Sequence, residues 1–137
     1  MADKKLTLDI VTPYGHVFTG EVDEIIAAGS EGEFGILPDH IPFLTTLKIG
    51  MLTYKNGSET GYFFVNWGYA EVGMDKITIL ADSAEKAEDI DIERAKRSKQ
   101  LAEEKIKHDQ RVEDAHADAA IERALARIQI AEKRHTK

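Results

Sequence analysis

The sequence predicts an α+β protein, in which an N-terminal β-sandwich or flattened barrel precedes a C-terminal antiparallel two-helix hairpin. All ten glycines, all three prolines and all ten aromatic residues lie within the first 73 positions, where turns and short strands need them. All six arginines lie at or after position 94, in a stretch without glycine or proline. Residues 1–90 carry 6 Lys against 15 Asp and Glu, whereas residues 91–137 carry 12 Lys and Arg against 10 Asp and Glu. We therefore divide the chain into residues 1–84 and 85–137.

The first unit is predicted to consist of short strands joined by turns. Leu6, Leu8 and Ile10 alternate with other residues, the period of a half-buried strand. A turn is expected at residues 13–15, and Asn56-Gly57 is a strong hairpin signal because both residue types tolerate positive φ. Further strands are predicted at residues 17–18, 22–28, 51–55, 60–65, 67–72 and 76–81. Such regular spacing is typical of a sandwich or barrel.

The second unit is rich in Ala, Glu, Lys and Arg, which favour helices. Asp89 or Asp91 is the expected N-cap of the first helix. A polar segment at residues 108–116 then separates two apolar stripes. The first stripe contains Ile92, Ala95, Ala102 and Ile106, with Leu101 beside them, and the second contains Ala117, Ala120, Ile121, Ala124, Leu125, Ile128 and Ala131. Because large apolar residues are few, we expect the hairpin to be marginally stable alone and sensitive to whatever it packs against.

Composition excludes several classes of function. The absence of cysteine excludes disulfides, thiolate metal sites and cysteine nucleophiles. A net charge of −7 argues against nucleic acid as the main partner. No apolar run approaches the roughly 20 residues of a membrane-spanning helix, and the first eight residues lack the apolar stretch of a signal peptide. We expect a cytosolic, soluble chain.

Three stretches together resemble one protein family. They are GSEGEFGILPDHIPFLT at residues 29–45, KITILA at residues 76–81 and EDIDIERA at residues 88–95. The first is similar to the signature of the epsilon subunit of the bacterial F-type ATP synthase, and the other two fit its last strand and the start of its helical hairpin. The resemblance covers essentially the whole chain in the same order.

The resemblance implies a regulatory rotor subunit of a proton-translocating enzyme, with no active site of its own. In this family the sandwich binds the central stalk subunit gamma and faces the ring of membrane c subunits. The hairpin either folds against the sandwich or extends toward the alpha and beta catalytic subunits, where it inhibits ATP hydrolysis. The implied location is the cytoplasmic face of the cell membrane, as a peripheral protein without membrane insertion.

The resemblance also implies a site for ATP as a regulatory ligand, with no other cofactor required. The matching residues are Glu85, Ile90, Asp91, Arg94, Ala95, Arg123 and Arg127. Carboxylates can accept hydrogen bonds from adenine or ribose, and arginines can bind phosphate oxygens. One position departs from the family pattern, because Leu101 stands where ATP-binding members have an arginine. The sequence does not decide between ATP alone and ATP with magnesium as the ligand.

Two further contact sets follow from the resemblance. Glu33 and His40 match positions that face the c ring. The basic residues Arg123, Arg127, Lys133 and Arg134 match the helix that meets the beta subunits. We also expect Arg123 and Arg127, four residues apart on one helical face, to serve ATP in one state and beta in the other.

Simpler interpretations stay open beside these. The glycines and prolines of the signature segment can merely shape a long turn, Asp91 can be only an N-cap, and the arginines can be ordinary surface charge. An ATP-sensing module that acts on another protein is the alternative function. No metal site and no catalytic residue are predicted, and without a P-loop any nucleotide here is a ligand rather than a substrate.

Overall fold

A computed structural model describes residues 4–108 and 115–133 of the chain. It contains eight strands, a short 3₁₀ helix and two α-helices within those ranges. The strands are β1 (Leu6–Thr12), β2 (Gly15–Val22), β3 (Glu24–Gly29), β4 (Gly32–Ile36), β5 (Phe43–Leu47), β6 (Gly50–Asn56), β7 (Glu59–Val72) and β8 (Lys76–Lys86). The 3₁₀ helix is Ala87–Asp89, and the α-helices are α1 (Ile92–His108) and α2 (Ala115–Lys133). The predicted α+β class, a sandwich followed by two helices, is confirmed.

The strands follow the order β2-β1-β8-β7-β5-β3-β4, and β6 closes the arrangement by pairing with both β3 and β7. All of these pairings are antiparallel except that of β1 with β8, which is parallel. The inward residues of the strands form one apolar core. It includes Leu6, Leu8, Ile10, Val22, Ile25, Ile36, Leu52, Phe63, Val65, Ile77 and Ile79. Leu6, Leu8 and Ile10 of β1 therefore form a buried strand face, as their alternation predicted.

Strand β7 differs from the prediction because it is one strand of 14 residues rather than two. Its first half pairs with β6 and its second half with β5, while β8 runs beside both halves. The change of partner occurs at Trp67 and Gly68, which take φ values of 46° and 149°. The register against β8 is the same before and after this corner, with Trp67 skipped. A bend of this kind was not visible in the residue pattern.

The signature segment also contains more regular structure than a long turn. It includes all of β4, which pairs with β3, and the first part of β5. The residues that connect these strands are 37–42. The hairpin of β6 and β7 is present, but Asn56 pairs with Glu59, so its turn lies at residues 57–58, one position later than predicted.

Asp23 fastens this hairpin turn to the neighbouring strands. Its carboxylate accepts a hydrogen bond of 2.6 Å from the Gly57 N–H and pairs with the Lys5 ammonium. These two contacts, Lys5 first, lower the pKa of Asp23. The Lys5 ammonium also donates to the Asn56 side-chain oxygen at 2.8 Å.

A second, smaller apolar cluster joins the helices to the sandwich. It consists of Ile49, Phe64, Ala87, Ile90, Ile130 and Ala131. Ile130 and Ala131 belong to the last turns of α2, so the hairpin is folded against the sandwich in this structure. The sequence predicted that the chain divides into two units between residues 84 and 85. Strand β8 continues past that point to Lys86, and the division stays a prediction.

The seam between the two helices is formed by small residues. Ala95, Ala102, Ala117 and Ala124 are buried, whereas Leu101 is 66% exposed and Leu125 is 40% exposed. Of the predicted stripes, Ala95, Ala102, Ala117, Ala124 and Ala131 are buried, whereas Ile106 and Leu125 are exposed. Helices that approach through alanine leave longer side chains at the flanks, and those flanks face solvent here. The predicted polar segment between the helices lies largely outside the described residues.

Candidate functional site

The sheet and the two helices enclose a polar cleft of about 220 Å³. Its lining comes from β8, the 3₁₀ helix, the first turns of α1 and the middle of α2. The lining residues are Glu85, Asp89, Asp91, Arg94, Ala95, Ser98 and Arg127. Because α2 supplies one wall, the cleft exists only while the hairpin is folded against the sandwich.

The start of α1 fixes one side of this cleft. The Asp91 carboxylate accepts a hydrogen bond of 3.0 Å from the Arg94 N–H, the geometry of an N-cap. The Asp91 carbonyl accepts a hydrogen bond of 3.0 Å from the Ala95 N–H and so opens the helical ladder. Arg94 is thereby held in the first turn of α1, near the positive end of the helix dipole.

Arg127 of α2 forms the opposite side. Its Nε donates to Glu85 Oε1 at 2.7 Å, and both side chains are about two-thirds buried. Its guanidinium carbon also lies 4.4 Å from the centroid of the Phe64 ring. A partly buried, hydrogen-bonded ion pair that also stacks on an aromatic ring holds the arginine in one place.

The cleft carries both signs of charge. Glu85, Asp89 and Asp91 provide three carboxylates against the guanidinium groups of Arg94 and Arg127. Glu85 and Arg127 neutralise one another, and one oxygen of Asp91 is used by the cap. The arrangement can offer cations to a phosphate and carboxylates to an amino or hydroxyl group.

Five of the seven predicted ATP-site residues lie together in this lining, namely Glu85, Asp91, Arg94, Ala95 and Arg127. Ile90 lies outside it, since its side chain is 3% exposed and packs in the second cluster. Arg123 also lies outside it, with its guanidinium carbon 6.0 Å from the Trp67 ring centroid. The expected convergence of Arg123 and Arg127 on one cleft is therefore not seen.

Two lining residues, Asp89 and Ser98, were not among the predicted set. Ser98 follows Arg94 by four residues and Ala95 by three, so helical spacing places all three on one face of α1. That spacing could have identified it. Asp89 is predicted only as a candidate helix cap, and its place in the lining depends on the 3₁₀ helix before α1.

The charged side chains of the cleft suit the polar groups of a nucleotide, but the cleft is smaller than a whole nucleotide requires. Its guanidinium groups suit phosphate oxygens, and its carboxylates suit an amino or hydroxyl group. Its volume of about 220 Å³ lies below the roughly 300–1,000 Å³ typical of small-molecule pockets. A bound nucleotide would extend beyond the cleft into solvent or displace Glu85 from Arg127. Leu101 does not contribute to the lining.

The residues predicted to face a c ring lie on and after β4. Glu33 is an exposed residue of β4, and His40 lies in the connection to β5. The His40 Nδ1 donates to the Ile41 carbonyl at 2.8 Å, and its ring packs edge-on against Phe43 at 5.2 Å between centroids. Ile41 itself is 79% exposed, so the connection presents an apolar side chain to solvent.

The basic residues predicted to meet a beta subunit are held against the sheet. Arg123, Arg127 and Lys133 each lie over an aromatic ring of β7. Arg134 lies outside the described residues. Over residues 4–108 and 115–133 there is no group of three His, Cys, Asp or Glu side chains arranged to hold a metal ion.

Residues 5–87 match the family described as "ATP synthase, Delta/Epsilon chain, beta-sandwich domain". Residues 88–132 match "ATP synthase, Delta/Epsilon chain, long alpha-helix domain". The chain belongs to the ATP synthase delta/epsilon family. The two matches meet between residues 87 and 88, inside the 3₁₀ helix that precedes the cleft.

Curated relatives in the delta/epsilon family align with nearly the whole chain. A protein of Geotalea daltonii is 51% identical over 132 residues, which cover 95% of this chain and 96% of the relative. A protein of Geobacter metallireducens is 50% identical with the same coverage. One of Nitratidesulfovibrio vulgaris is 50% identical over 129 residues, which cover 93% of this chain and 96% of the relative. All three are named ATP synthase epsilon chain.

Solved structures of mitochondrial ATP synthases contain chains with the same fold. One, from Euglena gracilis, superposes with a TM-score of 0.78 at 18% identity and covers 100% of this chain and 84% of the other. Another, from the Tetrahymena thermophila central stalk and c ring, gives 0.56 at 16% identity and covers 98% of both chains. No helix among the described residues is long and apolar enough to cross a membrane.

Proposed function

We propose that this chain is a non-catalytic epsilon-type rotor subunit of an F-type ATP synthase. Its sandwich binds the central stalk subunit gamma and, through the segment of Glu33 and His40, the c ring. Its hairpin inhibits ATP hydrolysis when it extends toward the catalytic alpha and beta subunits. ATP in the polar cleft favours the folded state. This places the chain at the cytoplasmic face of the membrane, as a peripheral subunit.

The observation that carries this proposal is the construction of the cleft from both units. Glu85 belongs to the sheet, Arg94 to α1 and Arg127 to α2. A ligand that bridges the two arginines binds only the folded state. At 100 times its dissociation constant, such a ligand stabilises that state by about 2.7 kcal/mol. This is enough to shift a marginal equilibrium.

Arg127 is the residue whose role we expect to change between the two states. In the folded state it lies between Glu85 and the cleft. In the extended state it would be free to meet an acidic surface of a beta subunit, because opposite charges steer and orient such contacts. Arg123 and Lys133 would join it there, although Arg123 takes no part in the cleft.

A crosslink between sheet and α2 tests the inhibitory role. Met51 and Ala126 both pack against the second apolar cluster, and the chain has no native cysteine. With Met51→Cys and Ala126→Cys joined by a short bis-maleimide in the assembled synthase, we expect ATP hydrolysis to rise toward the uninhibited rate. The unlinked double variant is the control. Equal hydrolysis rates with and without the crosslink would show that the hairpin is not a brake.

Calorimetric titration of the full chain with ATP tests the ligand. Charged hydrogen bonds contribute about 1.5–3 kcal/mol each, so Arg94→Gln and Arg127→Gln should each raise the dissociation constant about 10- to 100-fold. Asp91→Asn keeps the N-cap acceptor and removes only the charge. Arg97→Gln alters an exposed arginine of α1 outside the cleft and should leave affinity unchanged.

Titrations with and without magnesium reveal whether the ion accompanies ATP. If the three cleft variants, Arg94→Gln, Arg127→Gln and Asp91→Asn, all bind ATP as the unaltered chain does, the cleft is not the nucleotide site. The alternative function, an ATP sensor for another protein, predicts the same titration results. It differs in leaving hydrolysis by the synthase insensitive to the crosslink.

A further inference from the structure

One side of β7 presents three aromatic rings to α2, and three cations of α2 lie over them. The Arg123 guanidinium carbon lies 6.0 Å from the Trp67 centroid, and that of Arg127 lies 4.4 Å from the Phe64 centroid. The Lys133 ammonium lies 5.5 Å from the Tyr62 centroid. All three separations are within the range of cation–π attraction. We call these three pairs the cation–aromatic ladder.

The spacing of the ladder matches the geometry of the two elements. From position 123 to position 133, α2 rises about 15 Å at about 1.5 Å per residue. From position 62 to position 67, β7 extends about 16–17 Å at about 3.3 Å per residue. The two elements run in opposite directions, so the three cations meet the three rings in order. A shift of α2 by one helical turn would misalign every pair.

The third ring reaches this side because the alternation of β7 changes at Trp67. Phe63 and Val65 point into the sandwich core, and so do Ala70 and Val72 farther along the strand. An unbroken alternation would therefore place Trp67 inward with Phe63 and Val65. The left-handed backbone of Trp67, with φ of 46°, places its ring outward instead, where it is 43% exposed and under Arg123.

We propose that the cation–aromatic ladder is the contact that sets the register of α2 on the sandwich and holds the hairpin folded without any nucleotide. Beside the ladder, α2 contacts the sandwich through the ion pair of Arg127 with Glu85 and through a small apolar area, mainly Ile130 and Ala131. Apolar contact is non-directional, so it supplies attraction without selecting one register. The ladder supplies that selection at both ends of the contact, beside the single ion pair of Arg127 with Glu85, and keeps the cations of α2 on the sheet. Any effect of the ladder on the inhibition of ATP hydrolysis rests on the proposed function. The contact between α2 and β7 does not.

Amide hydrogen exchange of the isolated full chain, without ATP, tests the ladder. A cation–π contact at a partly exposed site corresponds to about a two- to five-fold change in an equilibrium. We expect Arg123→Gln and Trp67→Leu each to speed exchange of α2 amides by about that factor. The double variant should exchange no faster than the single variants, because each removes the same contact. Peptides covering Ile77 and Ile79 report the sandwich core in the same experiment.

The controls separate the ladder from general loss of structure. Arg97→Gln removes an exposed arginine from α1 and should leave α2 exchange unchanged. Arg123→Lys keeps the cation and should retain most of the protection. If Trp67→Leu also speeds amide exchange in the peptides of the sandwich core, Tyr62→Leu, Lys133→Gln and their double variant form a second double-mutant cycle. Trp67 is the sole tryptophan, so its emission should change in Arg123→Gln and stay constant in Arg97→Gln.

The proposal is overturned if the double variant exchanges at the product of the single effects, or if Arg123→Gln and Lys133→Gln behave like Arg97→Gln. Because neither ATP nor synthase is present, these outcomes are independent of the nucleotide titration and the crosslink. Failure of the ladder would leave ATP binding and inhibition intact as proposals. Failure of those two would leave the ladder as an intramolecular contact.

Discussion

Two adjacent residues, Trp67 and Gly68, decide how the longest strand is used. Both take positive φ, a conformation that bulky residues rarely adopt and that costs about 1–3 kcal/mol at a non-glycine residue. At this corner β7 leaves β6 for β5, and its inward positions change from Phe63 and Val65 to Ala70 and Val72. One strand thereby serves two parts of the sheet and turns the tryptophan toward the helix.

Gly68→Ala should be strongly destabilising. A Cβ at this position would overlap the Leu80 carbonyl oxygen and lie 2.8 Å from the Ala81 Cα, in a backbone conformation with φ of 149°. These atoms are backbone and cannot rotate away, so we expect a loss of about 2–4 kcal/mol in the free energy of unfolding. Urea denaturation followed by circular dichroism measures it.

Gly35→Ala is the matched control, since its Cβ would meet only the Ile25 carbonyl oxygen at 3.7 Å, an ordinary contact. It should change the free energy of unfolding by less than about 1 kcal/mol. If the two alanine variants were equally stable, the corner would not need glycine.

At the scale of elements, helix α2 docks through a small apolar area. Ile130 is 3% exposed and packs with Ile49, Phe64 and Ile90, and Ala131 is its neighbour in the cluster. The seam with α1 is made of alanines, which allow close approach but bury little surface. The hairpin therefore depends on few large side chains, as its composition suggested.

Ile130→Ala should release α2 while leaving the sandwich folded. Removing a buried isoleucine side chain costs about 2–5 kcal/mol, and here the loss falls on the docking of α2. We expect α2 to become sensitive to limited proteolysis at a protease concentration that leaves the sandwich intact. Leu125→Ala alters a 40%-exposed residue of the same helix and should have little effect. Equal cleavage of both variants would contradict a docking role for Ile130.

At the scale of the whole molecule, β7 connects the two cores. Phe63 lies in the sandwich core and the next residue, Phe64, lies in the cluster under α2. Adjacent residues of a strand point to opposite faces, so this pair contributes to both cores at once. Docking of the hairpin covers the outer face of a strand that the sandwich already fixes, so the release that we propose for the helices would not require the sheet to unfold.

Local sequence pattern was sufficient for the class of fold and for the approximate start of α1. Leu6, Leu8 and Ile10 marked a buried strand face, and Asp89 or Asp91 marked a helix start, because alternation and capping depend on near neighbours. The nearness of Glu85, Arg94 and Arg127 was anticipated from resemblance rather than from spacing. These residues are 9 to 42 positions apart and come from three elements.

The sequence by itself determined the α+β class, the two candidate caps of the first helix, Asp89 and Asp91, and the alanine-rich character of the hairpin. Each of these follows from residues within a few positions of one another. Only the tertiary structure decided that α2 lies folded on β7 and that Arg123 meets Trp67 instead of the cleft. These depend on the docking angle of a helix and on one left-handed residue in a strand, and neither is encoded in a local period.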